Sequence, residues 1–196
     1  MIAVVRYNAG NVFSVECALN RLGVEFVLTA DEKTLRSADK VIFPGVGEAA
    51  AAMHHLRSTG LDRVLCNLTN PVLGICIGQQ LMCRHSEEGD VDCLGIFDAD
   101  VRRLVSTEHN FKIPHTGWDT VTVTAPDGPV PEMLDGQYFY YVHSYVVPVN
   151  SDTAAITDYC GPWSAAMHRD NFYAVQFHPE KSGAAGTCLL SHFLNL

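Results

Sequence analysis

A cysteine set between two glycines is the first candidate for chemistry in this sequence. In Gly74-Ile75-Cys76-Ile77-Gly78 it follows the apolar run Val72-Leu73 directly. This pattern is typical of a strand that turns sharply into a helix with a nucleophile at the corner, where glycines let neighbouring chain approach. The helix amides that begin near Ile77 would favour a thiolate and could hydrogen-bond an oxyanion. We interpret Cys76 as a nucleophile for acyl transfer.

The segment Phe177-His178-Pro179-Glu180 supplies the groups that such a nucleophile needs. Residues two apart in an extended segment share a face, so Glu180 can bond one imidazole nitrogen of His178 while the other meets Cys76. Pro179 is expected to keep the segment from becoming helical. Taken singly, the two motifs also fit a structural cysteine and a surface turn. Their occurrence in one chain favours a triad of Cys76, His178 and Glu180.

A glycine-rich loop, Pro44-Gly45-Val46-Gly47, follows the third predicted strand. Its two glycines would let backbone amides face a ligand. In an open parallel sheet, ligands bind beyond the carboxyl ends of the strands, where this loop and the cysteine turn would both lie. A plain strand-to-helix turn is the alternative interpretation.

Composition limits the class of protein. The 196 residues are 47% hydrophobic and 18% charged, as in one globular domain, and we expect residues 1–196 to form it. A formal net charge of −9 argues against nucleic-acid binding, and no apolar run approaches a membrane span. Seven cysteines without C-x-x-C or zinc-type spacing predict free, mostly buried thiols in the cytoplasm.

The first half alternates short apolar runs with helical patterns, which predicts a parallel sheet covered on both faces. Predicted strands are Ile2 to Val5, Val24 to Leu28, Lys40 to Phe43 and Pro71 to Ile75. Helical patterns cover 12–22, 48–57 and 61–68, and Asn8 to Asn11 is predicted as a turn.

The second half is mostly β by its pattern, so the predicted fold is α/β: an open, mostly parallel central sheet flanked by helices, with antiparallel additions. Predicted strands are Thr120 to Thr124, Tyr138 to Val142, Ala154 to Ile156, Ala165 to His168 and Phe172 to Phe177. A final helix covers Ser182 to Leu194, and Ser182 is expected to cap it.

These motifs resemble those of a known family. Leu73-Gly-Ile-Cys-Ile-Gly-Gln-Gln80 and Val175-Gln-Phe-His-Pro-Glu-Lys-Ser182 are similar to the two signatures of class I, triad-type glutamine amidotransferases. Pro44-Gly-Val-Gly47, Pro114-His-Thr-Gly-Trp-Asp119 and Phe139-Tyr-Tyr-Val-His-Ser-Tyr145 resemble segments of the glutaminase subunits of imidazole glycerol phosphate synthases.

The resemblance implies hydrolysis of L-glutamine through a thioester on Cys76, without metal or cofactor. It implies an oxyanion hole at Val46, Gly47 and Ile77. It implies glutamine binding by Gly47, Gln80, Ser144 and Tyr145.

The resemblance also implies a partner, a (β/α)8 cyclase subunit in a heterodimer of histidine biosynthesis that receives the ammonia. The cyclase would make imidazole glycerol phosphate and an aminoimidazole carboxamide ribonucleotide. Residues expected near the interface are Pro114, His115, Trp118, Tyr138 and Lys181. We also expect the loop 44–47 to rearrange to present its second oxyanion donor, so that the isolated chain is nearly silent.

Three alternatives stay open at this point. The chain could serve another amidotransferase, or cleave a γ-glutamyl bond unaided as a stand-alone cysteine hydrolase. It could also be a non-catalytic module in which Cys76 senses oxidants.

Overall fold

The computed structural model describes residues 1–7, 12–45, 47–106 and 111–196, and within these ranges the centre of the fold is a mixed sheet of eight strands. The first half of the chain contributes four of its strands and five helices. These are β1 (Ile2–Val5), α1 (Phe13–Arg21), β2 (Phe26–Thr29), α2 (Glu32–Ser37), β3 (Lys40–Phe43), α3 (Ala49–Thr59), α4 (Leu61–Cys66), β4 (Val72–Ile75) and α5 (Ile77–Met82).

The second half is mostly strand and ends in one long helix. Its elements are β5 (His85–Ser86), β6 (Val91–Asp92), β7 (Asp100–Arg103), β8 (His115–Thr120), β9 (Thr122–Val123), β10 (Tyr138–His143), β11 (Tyr145–Val146), β12 (Thr153–Asp158), β13 (Pro162–Arg169), β14 (Phe172–Val175) and α6 (Gly183–Leu194). Two 3-10 turns, Glu132–Leu134 and Pro179–Lys181, complete the described elements.

The large sheet has the strand order β2-β1-β3-β4-β14-β13-β12-β9. Strands β2 to β14 in this order pair in parallel, and β13, β12 and β9 add antiparallel pairs. A β8–β10 ribbon and a four-stranded sheet, β11-β7-β5-β6, lie outside it. The predicted α/β class, with a mostly parallel sheet and antiparallel additions, is confirmed.

Both faces of the parallel part of the sheet are buried, which explains why the strands there are almost entirely apolar. Successive residues of β1 enter different cores: Ala3 and Val5 pack with Leu56 of α3, whereas Val4 packs with Leu19 of α1 and Leu189 of α6. Successive side chains of a strand point to opposite faces of the sheet, and because both faces are buried, every position needs an apolar residue. No helix of the described residues is long and apolar enough to cross a membrane.

Several predicted boundaries need correction. Helix α2 was not predicted, although Asp31 caps it by accepting a hydrogen bond from the Thr34 amide at 2.8 Å. The predicted strand 120–124 is divided at Val121, because β8 pairs with β10 whereas β9 joins the large sheet. Strands β5, β6, β7, β8 and β11 were also missed, since they are short or carry polar residues on a solvent face. The predicted turn at 8–11 and residue Val46 lie outside the described residues.

The cysteines are free thiols, as predicted, but the expectation that most are buried is wrong. Only Cys76 and Cys83 are buried, and the other five are partly or fully exposed.

Glycines bring the end of β3 against the start of α5. A Cβ at Gly78 would lie 2.3 Å from the carbonyl oxygen of Phe43, and one at Gly45 would lie 2.5 Å from the Gly78 amide nitrogen. A Cβ at Gly74 would lie 2.9 Å from the sulfur of Met82. The prediction that glycines permit close approach around Cys76 is confirmed.

Gly78→Ala should therefore destabilise the protein by about 1–3 kcal/mol, since an added methyl group meets fixed backbone. Denaturant unfolding would measure the loss, and alkylation of Cys76 should slow because the turn that presents it must shift. Gly136→Ala is the control: it has φ 71° but open space around the new Cβ. It should lose stability through backbone strain alone and keep Cys76 reactivity. Equal reactivity in both variants would contradict the packing argument.

Candidate active site

Cys76 lies at the carboxyl end of β4 and immediately precedes α5. Its φ of 55° and ψ of −110° are unusual for a residue with a side chain. Such a conformation costs on the order of 1–3 kcal/mol and persists only where the surroundings impose it. Here the Cys76 amide donates to the carbonyl of Val175 in the neighbouring strand β14 at 2.8 Å. The corner thus presents the sulfur beyond the sheet edge, while Cys76 itself is only 7% exposed.

Ile77 begins α5, and the first amides of a helix have no acceptor within the helix. Its N–H is therefore a candidate oxyanion donor beside the sulfur. Gly47, the other described candidate, is exposed and has φ 116°, a conformation that favours glycine.

His178 and Glu180 follow β14, the strand beside β4. The imidazole Nδ1 lies 2.7 Å from the Glu180 carboxylate, and both side chains are almost fully buried. The expectation of an extended segment is wrong beyond His178, because Pro179–Lys181 forms a 3-10 turn. Proline suits the first position of a helical turn, since its fixed φ fits and its missing N–H is not needed there. The turn folds Glu180 back onto the imidazole.

The charge state of His178 follows from its neighbours. Burial alone would lower its pKa, but the charge of the Cys76 sulfur, with which it also shares a hydrogen bond, and the contact with Glu180 outweigh that effect. The pKa of His178 is raised to about 10. At neutral pH the ring is therefore an imidazolium. Because Nδ1 donates to Glu180, Nε2 is the nitrogen that faces the sulfur.

Ser182 holds this segment in place. Its hydroxyl donates to the carbonyl of His178 at 2.7 Å and accepts from the amide of Tyr140 in β10 at 2.9 Å. The His178 amide donates to the Tyr140 carbonyl at 2.9 Å. The predicted capping role is wrong: Ser182 occupies the N-cap position of α6 without a capping hydrogen bond. Sequence could not show this, because the bonded strand lies 42 residues away.

A cleft of about 310 Å³ opens over the sulfur, at the lower end of the range for small-ligand sites. It brings together most of the predicted groups from separate parts of the chain. Its lining includes Gly47, Cys76, Ile77, Gln80, Ser144, Tyr145, His178 and Lys181. Among the described residues, no group of three or more His, Cys, Asp or Glu side chains is placed to hold a metal ion.

Glu88 lines the same cleft and was not predicted. One carboxylate oxygen accepts from the Ala49 amide at 3.0 Å, which fixes the side chain at the N-terminus of α3. Burial raises the pKa of Glu88, against the effect of that hydrogen bond. Among the described lining groups, Glu88 supplies a carboxylate and Lys181 an ammonium, in addition to the rings of His143 and His178. No local motif marks Glu88, since its position depends on how the 83–89 segment folds over the cleft.

The residues predicted at a partner interface differ in their exposure to solvent. Pro114, Trp118, Tyr138 and Lys181 are exposed. His115, in contrast, is 3% exposed and stacks on Tyr159 with ring centroids 3.8 Å apart. Any part of His115 in an interface is therefore indirect, as a support beneath the β8–β10 ribbon.

A cysteine at a strand-to-helix corner, an imidazolium between it and a buried carboxylate, and a free helix amide beside it make a site for cysteine-dependent acyl transfer. The α/β sheet that carries the site and the cleft above it are suited to an enzyme of the amidase type.

Comparison with known proteins agrees with this class. The family model of class-I glutamine amidotransferases matches residues 7–195. The imidazole glycerol phosphate synthase subunit HisH of Bacteroides thetaiotaomicron is 58% identical over 199 residues, covering 100% of this chain and 99% of that protein. HisH of Escherichia coli K12 is 44% identical over 196 residues with the same coverage. A crystal structure of a glutamine amidotransferase has a TM-score of 0.76 at 18% identity, covering 99% of this chain and 97% of that one.

The chain therefore belongs to the class-I glutamine amidotransferases and, within them, to the HisH subunits of imidazole glycerol phosphate synthase.

The charge of His178 can be tested by NMR titration of its ring. In the unaltered chain the midpoint should lie near pH 10, because two negative groups favour the imidazolium. Cys76→Ala and Glu180→Gln should each lower the midpoint. Cys83→Ala removes another buried thiol and should leave it in place. A midpoint that is the same in Cys76→Ala as in the unaltered chain would refute the Cys76–His178 contact.

Proposed function

We propose that this chain is the glutaminase subunit that hydrolyses L-glutamine to glutamate and ammonia and passes the ammonia to a (β/α)8 cyclase subunit. The cyclase would make imidazole glycerol phosphate and an aminoimidazole carboxamide ribonucleotide in histidine biosynthesis. Membership in the HisH family supports the assignment. The observation that carries the chemistry is the position of His178, which contacts both the Cys76 sulfur and, at 2.7 Å, the Glu180 carboxylate.

The first half of the reaction forms a thioester. The Cys76 thiolate attacks the side-chain amide carbon of glutamine, and the oxyanion that forms accepts from the Ile77 amide. The imidazolium of His178 gives its Nε2 proton to the amide nitrogen. The carbon–nitrogen bond then breaks, ammonia leaves, and the γ-glutamyl group stays on the sulfur.

The second half returns the site to its starting state. Neutral His178 takes a proton from water as the water oxygen attacks the thioester carbon. The carbon–sulfur bond breaks and the thiolate and imidazolium are restored, while the new γ-carboxyl group releases its proton to solvent and leaves as glutamate. Glu180 keeps the ring in one orientation through both steps. The chain itself supplies the nucleophile, the proton donor and the oxyanion donor of these steps, so the proposed reaction uses no cofactor and no metal.

Glutamine carries an ammonium and a carboxylate at its α-carbon, and the cleft offers a group for each. We assign the ammonium to Glu88, whose carboxylate the Ala49 amide holds in place. Lys181 lies at the same cleft and is available to the α-carboxylate. Gly47, Ser144 and Tyr145 are assigned to the substrate as well. Gln80 also lines the cleft, and it positions Tyr145 because its amide nitrogen donates to the Tyr145 carbonyl at 3.0 Å.

The partner surface is assigned to the outer face of the β8–β10 ribbon. Trp118 and Tyr138 are 55% and 60% exposed there, and Trp118 packs edge-on against Tyr140 at 5.9 Å. Large exposed aromatic residues of this kind are typical interface anchors. Val142 continues the face to the cleft, so a docked cyclase would cover the route of the ammonia and keep it unprotonated. The free thiols support a reducing compartment, the cytoplasm, for this subunit.

A second oxyanion donor is assigned to the loop that contains Val46 and Gly47. Loss of one donor from such a site costs roughly 10²–10³ in rate. A loop that presents this donor only when the cyclase is loaded would keep the isolated chain nearly silent. Vigorous glutaminase activity of the chain alone would favour the stand-alone hydrolase instead.

The decisive experiment mixes the chain with a cyclase subunit and the nucleotide substrate. Cys76→Ala should abolish synthesis from glutamine and keep synthesis from added ammonium salts. Cys83→Ala, which removes a buried thiol from the same region, should support both. Loss of both activities in Cys76→Ala, with the complex still formed, would disprove this division of labour. Failure to bind any cyclase would favour another amidotransferase partner.

Glu88→Gln should raise the KM for glutamine at least tenfold with a smaller change in kcat, because it removes the charge that faces the α-ammonium while keeping the shape. Steady-state glutaminase kinetics of the complex would measure the change. Glu87→Gln is the matched control, since Glu87 instead binds Arg102 at 2.9 Å on an exposed surface. An unchanged KM in Glu88→Gln would remove Glu88 from the substrate site.

A further inference from the structure

Gln176 is a fully buried glutamine that touches the nucleophile and that none of the steps above uses. Its amide nitrogen lies 3.6 Å from the Cys76 sulfur, a hydrogen-bond distance for sulfur. Its amide oxygen lies 2.9 Å from the amide nitrogen of Gln80. The backbone of Gln176 is also fixed, because its N–H donates to the carbonyl of Ala165 in β13.

The orientation of the Gln176 amide follows from a chain of hydrogen bonds that ends on a backbone carbonyl. The carbonyl of Tyr145 can only accept, so the group of Gln80 that faces it must be the amide nitrogen. The same nitrogen has a second N–H, and the atom of Gln176 that faces it must be the oxygen. The nitrogen of Gln176 therefore points at the sulfur as a donor.

We infer that Gln176 donates a hydrogen bond to the Cys76 thiolate and that Gln80 fixes it in the donor orientation. The inference rests on Cys76 being the nucleophile of the proposed function, and it gives that thiolate a second, neutral stabilising partner besides His178. Hydrogen bonds to charged groups are the stronger ones, and because Cys76 is only 7% exposed, solvent can replace such a bond only in part.

Other groups near the sulfur do not substitute for this donor. Tyr7 is buried, and its hydroxyl donates to the carbonyl of Pro44 at 2.7 Å, so its proton is not available to the sulfur. Glu180 is bonded to the far side of His178. Glu88 and Lys181 also line the cleft, but they carry opposite charges, so their effects on the charge of the sulfur oppose each other. Gln176 thus differs from the other side chains near the sulfur as a neutral donor whose direction is fixed, and the proposed reaction keeps the Ile77 amide for the oxyanion.

The test measures alkylation of Cys76 by iodoacetamide as a function of pH on the whole chain alone, with mass spectrometry reporting the labelled residue. Gln176→Met keeps the side-chain volume and removes the donor. The midpoint of its alkylation profile should rise by about one pH unit, so that the alkylation rate at any pH well below the midpoint falls roughly tenfold. Gln80→Met should give a smaller rise, since the released amide of Gln176 can turn away.

The double variant, Gln80→Met with Gln176→Met, shows whether Gln80 acts through Gln176 or whether the two residues affect the sulfur independently. If Gln80 acts through Gln176, the double variant should have the midpoint of Gln176→Met, with no added contribution. Gln79→Met is the matched control: Gln79 is equally buried, donates to the carbonyl of Ser164 at 3.0 Å, and is not among the residues that line the cleft. It should lower the unfolding temperature without moving the midpoint.

An unchanged midpoint in folded Gln176→Met would overturn the inference, and so would equal shifts in Gln176→Met and Gln79→Met. If Gln176→Met does not fold, an unchanged midpoint in Gln80→Met overturns the inference in its place. These outcomes are distinct from failure of the proposed function, because alkylation needs neither glutamine nor a partner. If Cys76→Ala kept glutamine-dependent synthesis, the proposed function would fail, yet the midpoint could still shift in Gln176→Met and support the hydrogen bond.

Discussion

The site depends on one electrostatic arrangement: a positive imidazole ring held between two negative groups inside the protein. Burial by itself would discharge His178, and the sulfur and carboxylate on either side reverse that preference. The second oxygen of Glu180 is buried and bonds to none of the described protein atoms, so the carboxylate is committed to the imidazole through its first oxygen. Removing any one member would leave an uncompensated charge in a poorly solvated place, which makes the three groups a unit.

The central sheet makes this arrangement possible by placing β4 beside β14. Their parallel register sets Gly74 against Ala174 and Ile75 against Val175. Both strands therefore end at the same level, and the residues that follow them meet beyond the sheet edge. The nucleophile is then fixed by backbone: strained dihedral angles, close glycine contacts and a bond to Val175. The imidazole is fixed by the 3-10 turn after β14.

The proposed partner surface and the catalytic histidine share hydrogen bonds. Tyr140 belongs to the β8–β10 ribbon, and its amide and carbonyl bond to Ser182 and His178. Side chains of β10 alternate, so that Tyr138 and Val142 face outward while Phe139 and Tyr141 pack into the core. A protein bound to the outer face would thus contact a strand that is hydrogen-bonded directly to His178 of the triad. The ribbon offers a short physical path between docking and catalysis.

The sequence by itself determined the parallel half of the sheet, because strands buried on both faces must be apolar at every position and are interrupted by amphipathic helices. It also determined the chemistry of Cys76, His178 and Glu180, since few residue types can perform it and their local spacing is distinctive. Only the tertiary structure decided the roles of Glu88, Gln176 and Ser182. Their partners lie on other elements, 39, 100 and 42 residues away, and a contact between distant residues leaves no periodic or local pattern in the chain. The same reason explains the errors at Ser182 and Pro179. Local propensity allowed Ser182 to cap α6 and Pro179 to lie in an extended segment. Packing against β10 instead gave Ser182 hydrogen bonds to His178 and Tyr140 and placed Pro179 in a 3-10 turn.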